Sequence, residues 1–267
     1  MEVKRKYGAL ISPRDLRDYK ANIPYKNVAL PAEFNLTNTT IKDQGAVNSC
    51  VAHTLSSMLE KKYNKVFSTG LIYGYRPMGY YQGEGMYTRE ALKTLQKIGD
   101  VKQELFPYNI EMVEAKNKVD ENFTLLEAEA DDFRITAYAR LNSTNEIKSW
   151  LYTKNTPVPF SILTDNLKLD EHNIIQIPDV YPNSGHCMLI IGWNETGFII
   201  QNSWGESWGN KGTAILPYEY EIKEAWGITI NTTSAETDVK KPTCNWLRTL
   251  IMGLYSAIKA LFEGGNK

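Results

Sequence analysis

Cysteine and histidine are both scarce in this chain of 267 residues, which contains three of each. Three cysteines cannot all pair with one another, so we expect no disulfide framework, and a reducing compartment suits the chain. No two cysteines have the close Cys-x-x-Cys spacing of a structural zinc site, and no glycine-rich stretch matches a phosphate-binding loop. We therefore expect neither a metal nor another cofactor.

An excess of charge of one sign is also missing, because 30 basic and 31 acidic residues give a net charge of -1. This balance gives no basis for nucleic-acid binding. No apolar run is long enough to span a bilayer, and no apolar segment of a secretory signal follows the basic residues near Met1. We expect no signal peptide in this chain and favour a reduced intracellular environment.

The most informative stretch that is present is Lys42–His53, which indicates a tight loop that leads into a helix. Asn48 or Ser49 is expected to cap this helix, and Cys50 lies in its first turn. A thiol there lies near the positive end of the helix dipole, which favours the thiolate. Since a thiolate attacks carbonyl carbon, Cys50 is the candidate nucleophile.

Two later motifs supply the groups that such a nucleophile needs. His186 precedes an apolar strand, and Asn202 follows another one. We predict that His186 moves the proton and that Asn202 orients its imidazole. Gln44, just upstream of Cys50, is predicted to donate its amide N–H groups, together with the Cys50 backbone N–H, to a developing oxyanion.

The remaining candidates for this chemistry have simpler explanations. His53 and His172 are predicted to lie on the surface, and Cys187 is predicted to lie in the core. A metal site built from Cys50, Cys187 and His186 is the competing interpretation, and the spacing of these residues does not favour it.

Taken together, the motifs at 43–45, 49–50, 185–186 and 202–212 resemble those of the papain family (C1 type) of cysteine peptidases, in the same order. The resemblance covers roughly residues 30–231. It implies a hydrolase, a thiol protease that acts on peptides or proteins through a thioester acyl-enzyme. It further implies that Trp204 shields the base, and that Gly85, Met86 and Gly185 bind substrate. A turn before a helix explains Gly85 and Met86 equally well.

The chain departs from the family pattern at two places near the nucleophile. Val47 and Asn48 stand where the family has Cys-Gly, so the disulfide that this cysteine forms in the family is expected to be absent. Val51 replaces the usual tryptophan after the nucleophile, which is expected to alter the leaving-group side of the cleft.

The expected fold class is α+β, a papain-like two-lobed fold. A helical N-terminal lobe (about 30–130) faces a β-barrel-like C-terminal lobe (about 131–231) across the active-site cleft. Residues 1–29 are expected to form an extended structural arm packed along the domain. The pattern predicts helices at Cys50–Tyr63, Thr88–Ile98 and Glu146–Tyr152, and strands at Phe133–Leu141, Val158–Leu163, Cys187–Trp193, Phe198–Asn202 and Thr213–Pro217.

The end of the chain extends beyond the family pattern. Residues 232–243 are typical of a linker, and the segment 244–267 contains an amphipathic helix at Cys244–Phe262. We expect this helix to dock on protein, either this chain or a partner. Binding to a membrane surface is the alternative.

Three functions fit these motifs. The first is a cysteine peptidase that hydrolyses peptide bonds through Cys50, His186 and Asn202. The second is the same machinery acting on another amide or acyl-transfer substrate, such as peptidoglycan. The third is a catalytically weak papain-like binding module.

Overall fold

The computed structural model describes residues 6–16, 18, 28–36, 40–74, 85–108 and 125–230. The chain divides into two compact units, Met1–Asn231 and Thr232–Lys267, and all described residues belong to the first. The predicted linker and the predicted C-terminal helix lie outside the described residues. No helix in the described part of the chain is long and apolar enough to cross a membrane.

A long buried helix organises the helical part of the molecule. This helix, α1, has the predicted bounds Cys50–Tyr63, and every residue from Cys50 to Glu60 is buried. It ends where Asn64 adopts a left-handed conformation (φ 50°), which releases the chain from the helix. The other helices are α2 (Thr69–Gly74), α3 (Thr88–Lys97) and α4 (Thr144–Lys154), with a 3₁₀ turn at Asp131–Phe133 and helical residues at 125–130.

The second part of the molecule is built on an antiparallel sheet of seven strands. The nine described strands are β1 (Ala9–Leu10), β2 (Phe34–Asn35), β3 (Met86–Tyr87), β4 (Ala137–Arg140), β5 (Val158–Leu163), β6 (Gly185–Trp193), β7 (Gly197–Gln201), β8 (Thr213–Pro217) and β9 (Ile222–Thr229). The sheet order is β4-β9-β5-β6-β7-β8, and β2 pairs with β6. Since β4 and β8 are not paired with each other, the sheet does not close into a barrel.

Helix α1 packs directly on strand β6, and this contact sets the geometry of the site. The Thr54 hydroxyl donates to the carbonyl oxygen of Cys187 at 3.0 Å, so the helix is bonded to the strand near its first residue. All nine residues of β6 are buried. The helix therefore places Cys50 beside the segment of β6 that carries His186.

The structure confirms the predicted α+β class but differs from the predicted elements at several places. Strand β9 was not predicted, because its buried face includes Glu224 as well as apolar residues. The strand predicted to begin at Phe133 begins only at Ala137, since residues 131–133 form the 3₁₀ turn. Helix α4 is longer than predicted because the Ser143 hydroxyl caps it, accepting from the amide of Glu146 at 3.2 Å.

Candidate functional site

Cys50 is the first residue of α1, as the sequence predicted. The preceding loop turns at Gly45, which has a φ of +60° and whose amide donates to the Asp43 carboxylate at 2.8 Å. Ser49 occupies the N-cap position but makes no capping hydrogen bond, so the predicted role of its side chain is wrong. Its hydroxyl is instead hydrogen-bonded to the Tyr108 hydroxyl at 3.0 Å.

His186 and Asn202 meet in a buried hydrogen bond of 2.8 Å between Nε2 and Oδ1. The backbone N–H of Ser203 donates to the same Oδ1 at 2.8 Å, which identifies this atom as an acceptor. Nε2 must then carry the ring proton, and Nδ1 keeps a lone pair. Within the described residues Nδ1 makes no hydrogen bond, so it is available to accept a proton.

Trp204 lies against this pair. Its ring centroid is 5.0 Å from that of His186, with 32° between the ring planes, and only 5% of the residue is exposed. An indole in this position keeps water from the imidazole, because it occupies the volume next to the ring.

Gln44 is fully buried, and its amide is held in a single orientation. The Ser203 hydroxyl donates to Oε1 at 2.8 Å, which leaves Nε2 as the donor end. Nε2 donates to the carbonyl of Val47 at 2.8 Å and to the carbonyl of Lys6 at 3.0 Å. The predicted oxyanion donor is therefore bonded to a peptide carbonyl of the N-terminal arm.

A buried cation anchors the loop that carries Gln44. The Lys42 ammonium lies 2.8 Å from the Glu60 carboxylate of α1 and also donates to the carbonyl of Phe67 at 2.8 Å. Burial lowers the pKa of Lys42, and the attraction of Glu60 opposes this change. The ion pair fixes the loop to α1 because neither buried charge is stable without the other.

The N-terminal arm crosses the cleft directly over Cys50. The Met86 amide donates to the carbonyl of Gly8 at 2.8 Å, and β1 pairs with β3 in parallel, with Ala9 opposite Met86. Cys50 has no exposed surface in this arrangement. The arm therefore occupies the place of an extended peptide at the thiol.

Glycines make this close passage possible on both sides of the arm. A Cβ on Gly8 would lie 2.1 Å from the carbonyl oxygen of Asn48, and one on Gly185 would lie 2.0 Å from that of Ala9. Gly85 has a φ of +133°, and a Cβ there would lie 2.7 Å from the carbonyl oxygen of Gly8. The three residues predicted to bind substrate, Gly85, Met86 and Gly185, all contact the backbone of the arm.

Tyr7 of the arm packs on the aromatic rings of the site. Its ring is edge-on to His186, with centroids 5.5 Å apart, and also packs against Trp204 at 5.7 Å. Sequence reasoning missed this residue, although the short apolar stretch Tyr7–Ile11 within a charged arm is a signal that the segment is packed against something.

Burial shifts the pKa of both groups for proton transfer in the direction that favours their neutral forms. Burial raises the pKa of the Cys50 thiol, although hydrogen bonds from the backbone of Cys187 and Gly8 oppose the shift. Burial also lowers the pKa of His186 to about 4, against the effect of its Asn202 bond. Both shifts have the same cause, since a charged form loses hydration when it is buried. The pKa of Cys50 is therefore raised, whereas its position at the start of α1 led us to expect a lower one.

The other histidines and cysteine fall outside this cluster. His172 is exposed, as predicted, but His53 is buried, which corrects the prediction of a surface position. The His53 ring packs on that of Tyr108 with centroids 4.6 Å apart, its Nδ1 is 3.0 Å from the Ser49 carbonyl oxygen, and burial lowers its pKa to about 3. Cys187 is buried in the core, and burial raises the pKa of its thiol. Among the described residues, no three His, Cys, Asp or Glu side chains form a metal-binding cluster.

Comparisons with known proteins agree with this geometry. The family model described as papain family cysteine protease matches residues 30–235. Cathepsin K of Mus musculus is 28% identical over 196 residues, covering 67% of this chain and 56% of that protein. An uncharacterised peptidase C1-like protein of Acanthamoeba polyphaga mimivirus is 24% identical over 209 residues, covering 68% and 65%. The chain thus spans less than two thirds of the length of these relatives.

Solved structures show the same fold. The crystal structure of xylellain, a cysteine protease from Xylella fastidiosa, has a TM-score of 0.72 and 23% identity, covering 85% of this chain and 97% of that chain. The bromelain protease of Ananas comosus, in complex with the E64 inhibitor, has a TM-score of 0.56 and 15% identity, covering 76% and 100%. At these identities the likeness concerns the fold.

Proposed function

We propose that this chain, which belongs to the papain family of cysteine proteases, is a cysteine peptidase that hydrolyses peptide bonds through Cys50, His186 and Asn202. The observation that most supports this is the position of the arm. Its backbone lies over Cys50, and one of its carbonyls accepts from Gln44 Nε2 at 3.0 Å. A cleft that holds an extended peptide backbone at a thiol is suited to cleaving one.

The proposed reaction has two halves, formation of a thioester at Cys50 and its hydrolysis by water. Nδ1 of His186 takes the proton of the Cys50 thiol, and the thiolate sulfur attacks the carbonyl carbon of the scissile bond. The oxyanion accepts hydrogen bonds from Gln44 Nε2 and the Cys50 backbone N–H. His186 then protonates the leaving amine as the C–N bond breaks, and a thioester remains. Water, losing a proton to Nδ1, attacks the thioester and releases the carboxylic acid and the thiol.

The arm must leave the cleft before this sequence begins, because a substrate cannot reach a fully buried sulfur. Departure of the arm also rehydrates Cys50 and His186. Rehydration removes the main cause of the two pKa shifts and so favours the thiolate–imidazolium pair. The full chain with its arm bound is therefore a latent form of the enzyme.

The experiment compares the effects of replacing Cys50 and Cys187, both buried, on hydrolysis. Both replacements are made in the full chain carrying Gly8→Ala, because a Cβ at position 8 crowds Asn48 and should displace the arm. Hydrolysis of fluorogenic dipeptides is measured under reducing conditions. Adding Cys50→Ala should abolish hydrolysis, because it removes the attacking sulfur, whereas adding the matched change Cys187→Ala should retain it. Hydrolysis that survives Cys50→Ala would contradict the proposal.

A second panel separates the substrate classes that use the same chemistry. Peptide libraries and a peptidoglycan digest are given to the same Gly8→Ala protein. Cleavage of peptides supports the peptidase. Release of amines from the peptidoglycan digest alone would mean that the Cys-His-Asn site acts on that substrate. Covalent labelling of Cys50 by a thiol-reactive inhibitor, without turnover of peptides or peptidoglycan, would indicate a binding module.

A further inference from the structure

Two buried arginines pack on one aromatic ring close to Asp18 of the arm. Arg89, at the start of α3, is 7% exposed, and Arg140, at the end of β4, is 9% exposed. Their guanidinium carbons lie 5.5 Å and 5.4 Å from the ring centroid of Trp226. Two guanidinium charges that are both buried and close together are stable only when carboxylates lie nearby.

The arm supplies one such carboxylate. The Arg89 guanidinium donates two hydrogen bonds to the Asp18 carboxylate, from Nε to Oδ1 at 2.8 Å and from Nη2 to Oδ2 at 2.5 Å. Arg140 Nη1 lies 3.9 Å from the same Oδ2 and makes no hydrogen bond within the described residues. The Asp18 side chain is only 10% exposed, so this is a formed binding geometry for a carboxylate.

Among the described residues, the domain itself supplies Glu224 as the further carboxylate that acts on Arg140. Glu224 of β9 is 2% exposed, and its Oε2 accepts from the arm amide of Ser12 at 3.3 Å. With the arm removed, two guanidinium groups face one carboxylate. The charge balance then favours an anion in the place that Asp18 occupied.

The arm connects the nucleophile to this arginine pair. The arm passes Cys50 at Gly8, pairs with β3 at Ala9, and reaches α3 at Ser12, whose hydroxyl accepts from the Arg89 amide at 3.2 Å. An extended peptide advances about 3.3 Å per residue, so one that follows the same wall reaches the arginines within a few residues of the thiol.

We propose that Arg89 and Arg140 form a carboxylate-binding subsite of the cleft, which Asp18 fills in the latent form and an acidic side chain of the substrate fills after the arm leaves. This inference rests on the proposed peptidase function. It assigns to the enzyme a preference for Asp or Glu at one position near the scissile bond. Loss of that carboxylate leaves buried guanidinium donors unpaired, which is the kind of mismatch that discriminates strongly between substrates.

The test uses the full chain carrying Gly8→Ala and pairs of peptides that differ only in Glu versus Gln, or Asp versus Asn, at each position around the scissile bond. We expect the acidic peptide to have a kcat/KM about 10-fold or more higher at one position. Adding Arg140→Gln should reduce that ratio to about 2-fold or less, while the best neutral peptide is still cleaved. Lys223→Gln, a change of a nearby cation that pairs with Glu221, should leave the ratio unchanged.

The outcomes distinguish this inference from the function on which it rests. If no peptide of any kind is cleaved, the peptidase function itself fails. If peptides are cleaved with equal kcat/KM for acid and amide at every position, the subsite is overturned and Asp18 only anchors the arm. A preference that survives Arg140→Gln also overturns it. If Arg140→Gln does not fold, the ratio of kcat/KM between acidic and amide peptides is still measured in the protein that keeps Arg140. A ratio near 1 at every position then overturns the subsite.

Discussion

At the scale of single residues, the site depends on one hydrogen bond that sets where a proton resides. Because Asn202 Oδ1 can only accept, its 2.8 Å bond keeps the proton of neutral His186 on Nε2 and leaves Nδ1 basic. In the proposed mechanism the amide orients the base, whereas the imidazole itself moves the proton. The two side chains should therefore differ in what their removal costs.

We expect His186→Ala to reduce kcat far more than Asn202→Ala, when both are measured in the full chain with Gly8→Ala. Loss of the base removes general acid–base catalysis, which contributes about 10²- to 10⁴-fold, while loss of the orienting amide leaves a base of the right kind. Steady-state kinetics on one dipeptide, with circular dichroism as the folding control, measures the ratio. Equal losses in two folded proteins would contradict the assigned roles.

A second prediction concerns His53, whose pKa burial lowers from 6.5 to about 3. The unfolded chain binds this proton near pH 6.5, whereas the folded chain does not bind it until about pH 3. The free energy of unfolding therefore falls as the pH drops through that interval. At about pH 4.5 the loss from His53 alone is about 3 kcal/mol relative to neutral pH.

Urea unfolding at about pH 7 and pH 4.5 measures this loss. His53→Phe keeps an aromatic ring against Tyr108 and should reduce the pH dependence by about that amount. The exposed His172→Gln is the control and should keep the wild-type dependence. An unchanged dependence in His53→Phe would mean that His53 does not stay neutral in the folded protein.

The sequence was informative about residue types and less so about burial. The motifs at 185–186 and 202–204 contain the side chains of His186, Asn202 and Trp204, which lie in contact in the structure. The sequence around His53 is polar enough to suggest a surface, yet Tyr108 covers it from a segment more than fifty positions away. Contacts of that kind are set by tertiary packing, which local pattern does not encode.

At the scale of elements, the arm covers the site. Its segment from Tyr7 to Ser12 is bonded to both walls of the cleft and fits only because Gly8 has no side chain. Local pattern predicted an extended arm but not its course, since two-residue strands such as β1 and β3 have no periodicity to detect. Strand β9 was not predicted because Glu224 interrupts the apolar pattern of its buried face.

We expect Gly8→Ala to increase the rate at which iodoacetamide alkylates Cys50 by at least about 10-fold. The added Cβ would lie 2.1 Å from the Asn48 carbonyl oxygen, so the arm must shift and expose the thiol. Peptide mapping by mass spectrometry at timed intervals measures the rate. Leu16→Ala, in an exposed part of the same arm, should leave it unchanged. Equal alkylation rates in wild type and Gly8→Ala would mean that the arm does not control access.

At the scale of the whole molecule, the helical part and the sheet each carry part of the proposed catalytic site. Helix α1 carries Cys50, and the sheet carries His186 and Asn202 at the ends of β6 and β7. The fold class was predictable because the hydrophobic period changes between the two parts. The relative placement depends on α1 packing against β6, which brings together residues more than a hundred positions apart.

The most direct test of the central claim is to find the acyl group on the predicted atom. The full chain with Gly8→Ala is mixed with a peptide ester substrate, quenched in acid within the first turnover, and mapped by mass spectrometry. We predict a mass increase equal to the acyl part of the substrate on the peptide that contains Cys50, and none in His186→Ala at the same time point. Product formation with no acylated Cys50, or with the acyl group on Cys187, would contradict the account.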